Sequence, residues 1–136
     1  LQGNAISLQG DIVDNANLIF DQTFDGTYAD KITGTGNFIK QGNGNLFLTN
    51  ENSLGGLVSV NAGTLTVNRT LAGKGSLTVA RGATLKGIGT ITKNSTIYGT
   101  LSPGNSIGTL HLVGNQIMAN GSTLEIELNP TATDLV

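Results

Sequence analysis

The sequence predicts an all-β chain wound as a single-stranded parallel β-helix (solenoid) of roughly 6–7 rungs. Three observations predict it. First, apolar and polar residues alternate through Leu46-Phe47-Leu48, Leu57-Val58-Ser59-Val60, Leu65-Thr66-Val67, Leu77-Thr78-Val79, Thr90-Ile91-Thr92, Leu110-His111-Leu112 and Leu124-Glu125-Ile126-Glu127-Leu128. A period of two is that of a half-buried strand. Second, no window of helical length keeps an i, i+3, i+4 apolar stripe without a Gly or Asn cluster breaking it. Third, one short unit recurs, in which small polar residues and a Gly precede an apolar strand.

The unit reads Gly44-Asn45-Leu46-Phe47-Leu48, then Gly63-Thr64-Leu65-Thr66-Val67, Gly82-Ala83-Thr84-Leu85, Gly99-Thr100-Leu101 and Gly121-Ser122-Thr123-Leu124-Glu125-Ile126. Its leucines, Leu46, Leu65, Leu85, Leu101 and Leu124, are separated by 19, 20, 16 and 23 residues. A period near twenty is that of a solenoid rung. Strands this short cannot bury an apolar side alone. Rungs stacked ~4.8 Å apart bury Leu on Leu in one column, which makes the fragment a rod of ~30 Å. Gly and Asn suit the corners, where φ > 0 is needed. Asn at equivalent corners can form side-chain ladders along the axis. Small Ala, Ser and Thr are expected to fill a narrow lumen, since aromatics are only 4% of the chain. A β-sandwich normally carries large core aromatics, and this chain has no Trp.

Composition narrows the function. Charged residues are 12% of 136, about half the usual share, so Asn, Thr, Ser, Gln and Gly must carry solubility. The chain has no Cys, which removes disulfide scaffolds and thiolate metal sites and suits export across an oxidising compartment. The net charge is −2, and the basic residues are scattered from Lys31 to Lys93 without a run. Capture of nucleic acid or anionic lipid needs a basic patch, so neither is expected as a partner. No apolar run approaches the ~18 residues of a membrane-spanning helix. The chain opens and closes mid-pattern, at Leu1-Gln2-Gly3 and Asp134-Leu135-Val136, and is expected to be a piece of a longer protein. Residues 1–33 are expected to form irregular or looped first rungs, and residues 34–136 the regular β-helix. Asp25-Gly26-Thr27-Tyr28-Ala29-Asp30 reads as a loop or irregular rung, with Phe20, Phe24 and Tyr28 capping or widening the core.

Three blocks carry a family resemblance. The first runs Gly34-Thr35-Gly36-Asn37-Phe38-Ile39-Lys40-Gln41-Gly42-Asn43-Gly44-Asn45-Leu46-Phe47-Leu48-Thr49-Asn50 and is followed by Gly63-Thr64-Leu65-Thr66-Val67. The second is Leu85-Lys86-Gly87-Ile88-Gly89-Thr90-Ile91. The third and most specific is Gly99-Thr100-Leu101-Ser102-Pro103-Gly104-Asn105-Ser106-Ile107-Gly108-Thr109-Leu110. In residues and spacing, positions 34–128 resemble the passenger-associated repeat of type V autotransporters. The resemblance implies a right-handed β-helix displayed at the bacterial surface or secreted, and carried by a C-terminal outer-membrane β-barrel that this chain lacks. It also implies a place near the C-terminal end of the passenger, in an autochaperone-like region that folds first and templates the rest. Asp134-Leu135-Val136 resembles the start of the next family strand. Leu46, Leu65, Leu85, Leu101, Pro103, Gly104, Asn105 and Leu124 are therefore the expected folding residues. The expected role is a stalk with an adhesive surface toward host cells or matrix, able to self-associate. No enzyme activity, cofactor or metal is expected. A host-directed effector or receptor ligand is the alternative, followed by a glycan-acting β-helix enzyme.

Other motifs have plainer readings. Ser102-Pro103-Gly104-Asn105 has type II turn chemistry, with Pro at i+1 and Gly at φ > 0, and reads as a structural corner. Asp11, Asp14, Asp21, Asp25 and Asp30 crowd one stretch, as paired acids do in glycan hydrolysis or Ca²⁺ binding. Their spacing is irregular, and they read as a solvated acidic face. His111 alternates with Leu110 and Leu112, so it points outward, with no nucleophile motif nearby. Gly73-Lys74-Gly75-Ser76 fails the phosphate-loop pattern. A flat ice-binding threonine ladder fails at Lys86, the expected neighbour of Thr66.

Overall fold

The computed structural model describes residues 1–104 and 108–126. Two short strands open the chain, β1 (Gln2–Gly3) and β2 (Ile12–Val13), and then a three-strand rung repeats. The first complete rung is β3 (Asn17–Asp21), β4 (Gly26–Tyr28) and β5 (Ile32–Gly34). The second is β6 (Asn37–Gln41), β7 (Asn45–Leu48) and β8 (Glu51–Leu54). The third is β9 (Val58–Val60), β10 (Thr64–Val67) and β11 (Thr70–Ala72), and the fourth β12 (Leu77–Val79), β13 (Thr84–Gly87) and β14 (Thr90–Thr92). The fifth is β15 (Ser95–Ile97), β16 (Thr100–Pro103) and β17 (His111–Leu112), and β18 (Gln116–Met118) and β19 (Thr123–Leu124) begin another.

Each strand pairs in parallel with its counterpart one turn away. The result is three sheets, of seven strands (β1-β3-β6-β9-β12-β15-β18), six (β4-β7-β10-β13-β16-β19) and six (β2-β5-β8-β11-β14-β17). The chain is thus a parallel β-solenoid of about six turns, with no helix among the described residues. Parallel neighbours need a crossover connection. Here the other two strands of the rung supply it.

The expected leucine column is present in register. Leu46 pairs with Leu65, Leu65 with Leu85, Leu85 with Leu101 and Leu101 with Leu124. The seven-stranded sheet adds the column Leu18, Phe38, Val58, Leu77. The third sheet adds Leu71 and Ile91, above the buried Asn52. The uneven leucine spacing follows from the corners. Ala80 to Ala83 closes a turn, with the Ala83 N–H donating to the Ala80 carbonyl at 3.0 Å, whereas the next rung passes that corner through Tyr98 and Gly99 alone. Ala119 to Ser122 closes the same turn again, Ser122 N–H to Ala119 O at 3.0 Å.

Side-chain amides brace the corners along the axis, as the Asn content predicts. Asn37 Nδ2 donates to Asn17 Oδ1 at 3.2 Å, and Asn37 Oδ1 accepts the Leu57 N–H at 2.9 Å. Asn15 Oδ1 accepts from Thr35, and Asn94 Oδ1 from the Asn115 N–H.

Two expectations need correction, on the lumen and on a loop at 25–30, and two are refined, on the aspartates and on Pro103. The lumen holds Leu, Ile, Val and Phe; among the small residues Ala83, Thr66 and Ser95 are buried. The stretch 25–30 is not a loop, because β4 pairs with β7 from Gly26 to Tyr28. Its aromatics are core: Phe20 stacks edge-on with Tyr28 at 5.2 Å between ring centroids and tilted with Phe38 at 5.5 Å, while Phe24 stays exposed. Asp11 and Asp25 are exposed, as expected of a solvated face, but the aspartates also bind across the rungs. Asp25 Oδ1 accepts the Asn45 N–H, Asp11 Oδ1 the Lys31 N–H and Asp30 Oδ2 the Gly10 N–H, each at 2.8–2.9 Å between adjacent rungs, and Asp14 is buried. These carboxylates satisfy corner donors that the ladders leave unpaired. The turn at Pro103 has the expected positive φ at Gly104 but starts inside a strand. Pro103 ends β16, and Gly104, at φ 94°, donates its N–H to Gly87 O at 2.7 Å. Only Gly takes that φ without strain. Asn105 and Asp134-Leu135-Val136 lie outside the described residues.

Candidate functional site

The residues expected to drive folding converge on the six-stranded sheet β4-β7-β10-β13-β16-β19 and on the rung that ends it. Leu46, Leu65 and Leu85 are fully buried and Leu101 nearly so, whereas Leu124 is 50% exposed. Burying one Leu contributes roughly 1.5–3 kcal/mol, so each rung added to the column is favoured by its predecessor. Pro103 and Gly104 lie at the end of β16, one strand before the column's exposed end.

The two ends of the rod differ. At the first end the loop after β1 folds over the core: Leu8 is buried and Ala5 packs against the apolar cluster. Ala5 N–H donates to Gln22 Oε1 at 2.9 Å, and the Tyr28 hydroxyl donates to the Gly10 carbonyl. Burial, then Asp30 and Asp11 nearby, push the Tyr28 phenol above its ordinary value. At the other end β17, β18 and β19 are the terminal strands of the three sheets. Val113, Ile117, Met118, Leu124 and Ile126 are all exposed there. Among the described residues this end presents unpaired strand edges beside apolar side chains, which is a template for further strands.

Two residues that the sequence reading missed lie inside the rod. Lys40 and Lys93 are both buried. Lys40 Nζ donates to the carbonyls of Gln41, Gly42 and Ala62 at 3.0, 2.8 and 3.0 Å. Lys93 Nζ donates to those of Leu54, Gly56 and Gly75 at 2.7, 3.3 and 2.9 Å. Burial lowers both ammonium groups to about 8, with Asp21 opposing the effect at Lys40. A legible signal existed. Lys40 follows Phe38 by two residues and Lys93 follows Ile91 by two, so each sits in the inward phase of its strand.

The remaining candidates are dispersed. His111 is exposed, as its alternation predicts. Thr66 pairs with Lys86, so the threonine row is interrupted where expected. Gly73-Lys74-Gly75-Ser76 is a corner whose Gly75 carbonyl faces Lys93. Among the described residues no three His, Cys, Asp or Glu gather in metal-binding range. A surface depression of about 460 Å³ over the third sheet is lined by Lys31, Thr33, Glu51, Asn52, Ser53, Thr70 and Ala72. It holds one carboxylate, Glu51, which lies 3.7 Å from Arg69. No family model, curated protein or solved structure matches the chain.

Proposed function

We propose that this chain is a β-helical stalk segment of a bacterial autotransporter passenger, which seeds and propagates passenger folding during secretion and presents an adhesive surface outside the cell. The observation that carries the reading is the leucine column. The residues that resemble the passenger-associated repeat, Leu46, Leu65, Leu85 and Leu101, occupy equivalent positions in successive rungs. The spacing that makes the resemblance is therefore the spacing that stacks a rod.

Physically, a folded rung offers a row of backbone donors and acceptors and an apolar floor. The next rung to emerge pairs with the row and buries its own leucine on the floor, so folding advances along one dimension. That advance draws chain outward without nucleotide. The partners this reading requires are a C-terminal outer-membrane β-barrel and a host-cell or matrix ligand on the rod's outer faces. Its location is the cell surface or the medium. The role this reading assigns is mechanical and adhesive.

The test joins the chain to an outer-membrane barrel and places Leu65→Asp or Leu85→Asp in the column, with Thr92→Asp on an exposed outer position as the control. Surface display is read by protease accessibility, and refolding of the isolated chain by circular dichroism. The column variants are expected to refold slowly and display poorly, and the control to match the parent. Parental display and refolding in both column variants would defeat the proposal.

A further inference from the structure

Lys93 belongs to a corner column with an alternating pattern. In the third sheet Gly34 and Leu54, which end β5 and β8, pair with each other, and the equivalent positions of the next two rungs, one residue past β11 and β14, are Gly73 and Lys93. Gly73 has φ 124°, and a Cβ there would lie 1.8 Å from the Leu54 carbonyl oxygen. The layer between Leu54 and Lys93 is thus emptied of side chain, and the Lys93 stem runs through it. Its ammonium reaches Leu54 and Gly56 of the corner after β8 and Gly75 of the corner after β11, spanning three successive corners. The Gly56 and Gly75 carbonyls, which lie outside the strands, accept no backbone N–H among the described residues. No ion pair joins Lys93 to a carboxylate among the described residues, so main-chain oxygens alone hold the charge. A depression of about 370 Å³, lined by Gly73, Lys74, Thr92, Lys93, Asn94, Val113 and Gly114, opens this corner to solvent.

We propose that the carbonyl oxygens of Leu54, Gly56 and Gly75 form an internal binding cage for a primary ammonium group, filled in this chain by Lys93, which thereby ties the second, third and fourth rungs into one cooperative unit. The cage selects its occupant by chemistry. Three oxygens converge on a group that must donate several N–H bonds, and a primary ammonium has three donors. Buried carbonyls left unpaired are costly, so cage and cation stabilise one another.

Chemical rescue tests this directly. Lys93→Ala removes three methylenes and the ammonium, which n-propylammonium replaces. Urea unfolding of the whole chain is measured with n-propylammonium chloride, with tetramethylammonium chloride at equal ionic strength, and with n-propanol. The variant is expected to unfold at lower urea. n-Propylammonium alone should raise its folding equilibrium in proportion to 1 + [amine]/Kd, about tenfold when the amine is at ten times its Kd. The parent, with its cage filled, should not respond. Equal effects of propylammonium and tetramethylammonium, or an equal response of the parent, would overturn the cage. Should Lys93→Ala not fold unaided, recovery of the β-sheet circular dichroism on adding propylammonium supports the proposal, and no recovery overturns it. Lys93→Met tests the pin separately. It keeps the stem without the donors and should split the unfolding transition or lower its urea slope. A parental midpoint and slope would remove the cooperative role.

Discussion

Leu85 lies directly over Leu65 in adjacent rungs, and both are fully buried. Each is covered above and below by another leucine of the same column, so neither cavity wall can collapse inward without breaking a ladder. Leu85→Ala is expected to cost about 2–5 kcal/mol, the range for a buried leucine whose surroundings relax only in part. Leu124→Ala, at the exposed end, should cost far less. Urea midpoints of the two variants measure the contrast, and equal losses would mean that column position does not matter.

Asn52 stands in an otherwise apolar column, paired with Leu71. Its Oδ1 accepts the Ile32 N–H at 2.8 Å and its Nδ2 donates to Asn50 O at 3.1 Å. The side chain replaces a ladder bond between β5 and β8. Asn52→Ala leaves that N–H buried and unpaired, a loss of about 1–3 kcal/mol. Hydrogen exchange at the Ile32 amide should accelerate more than at Leu71. Unchanged protection at Ile32 would refute the assignment.

Stability should depend on pH in the alkaline range. The folded chain releases protons from Lys40 and Lys93 near pH 8, and the unfolded chain near 10.5. Between those values the unfolded state binds more protons, so stability rises with pH and is lost again as pH falls through about 8. Tyr28 acts in the opposite sense. Its folded value lies above 10.0, so above that pH the unfolded phenol ionises first and stability declines. Urea midpoints from pH 7 to 11 should therefore pass through a maximum. Lys40→Met with Lys93→Met should flatten the rising limb, and a rise that persists in the double variant would assign it elsewhere.

Gly73→Ala is expected to be among the most damaging small substitutions. The added methyl meets the Leu54 carbonyl oxygen in a conformation, φ 124°, that L side chains avoid. The loss should exceed the ~1 kcal/mol typical of a point substitution, because the backbone of a stacked corner cannot move aside. By contrast, Glu51→Ala removes an exposed ion pair with Arg69 and should change stability by less than about 1 kcal/mol. Thermal melts of both variants rank them, and the reverse order would contradict the corner geometry.

The rung period, the strand phase and the leucine column were all legible in the linear chain. Alternation and recurrence are local properties, and stacking equivalent residues is the way short parallel strands bury one side. The same logic placed Thr66 beside Lys86 and turned His111 outward. Three-dimensional packing decided what local pattern does not encode. The stretch from Asp25 to Asp30 reads as a loop or an irregular rung, and pairing with Leu46 to Leu48 decides between them by making a strand of Gly26–Tyr28. The aspartates read as surface charge, yet Asp11, Asp25 and Asp30 each stand opposite a corner N–H one rung away. Lys93 is one more polar residue in a Thr-rich strand until Gly73 empties the layer beneath it and three carbonyls converge. A residue's partners in a solenoid come from about twenty and forty positions away, and side-chain burial depends on what those distant neighbours leave open.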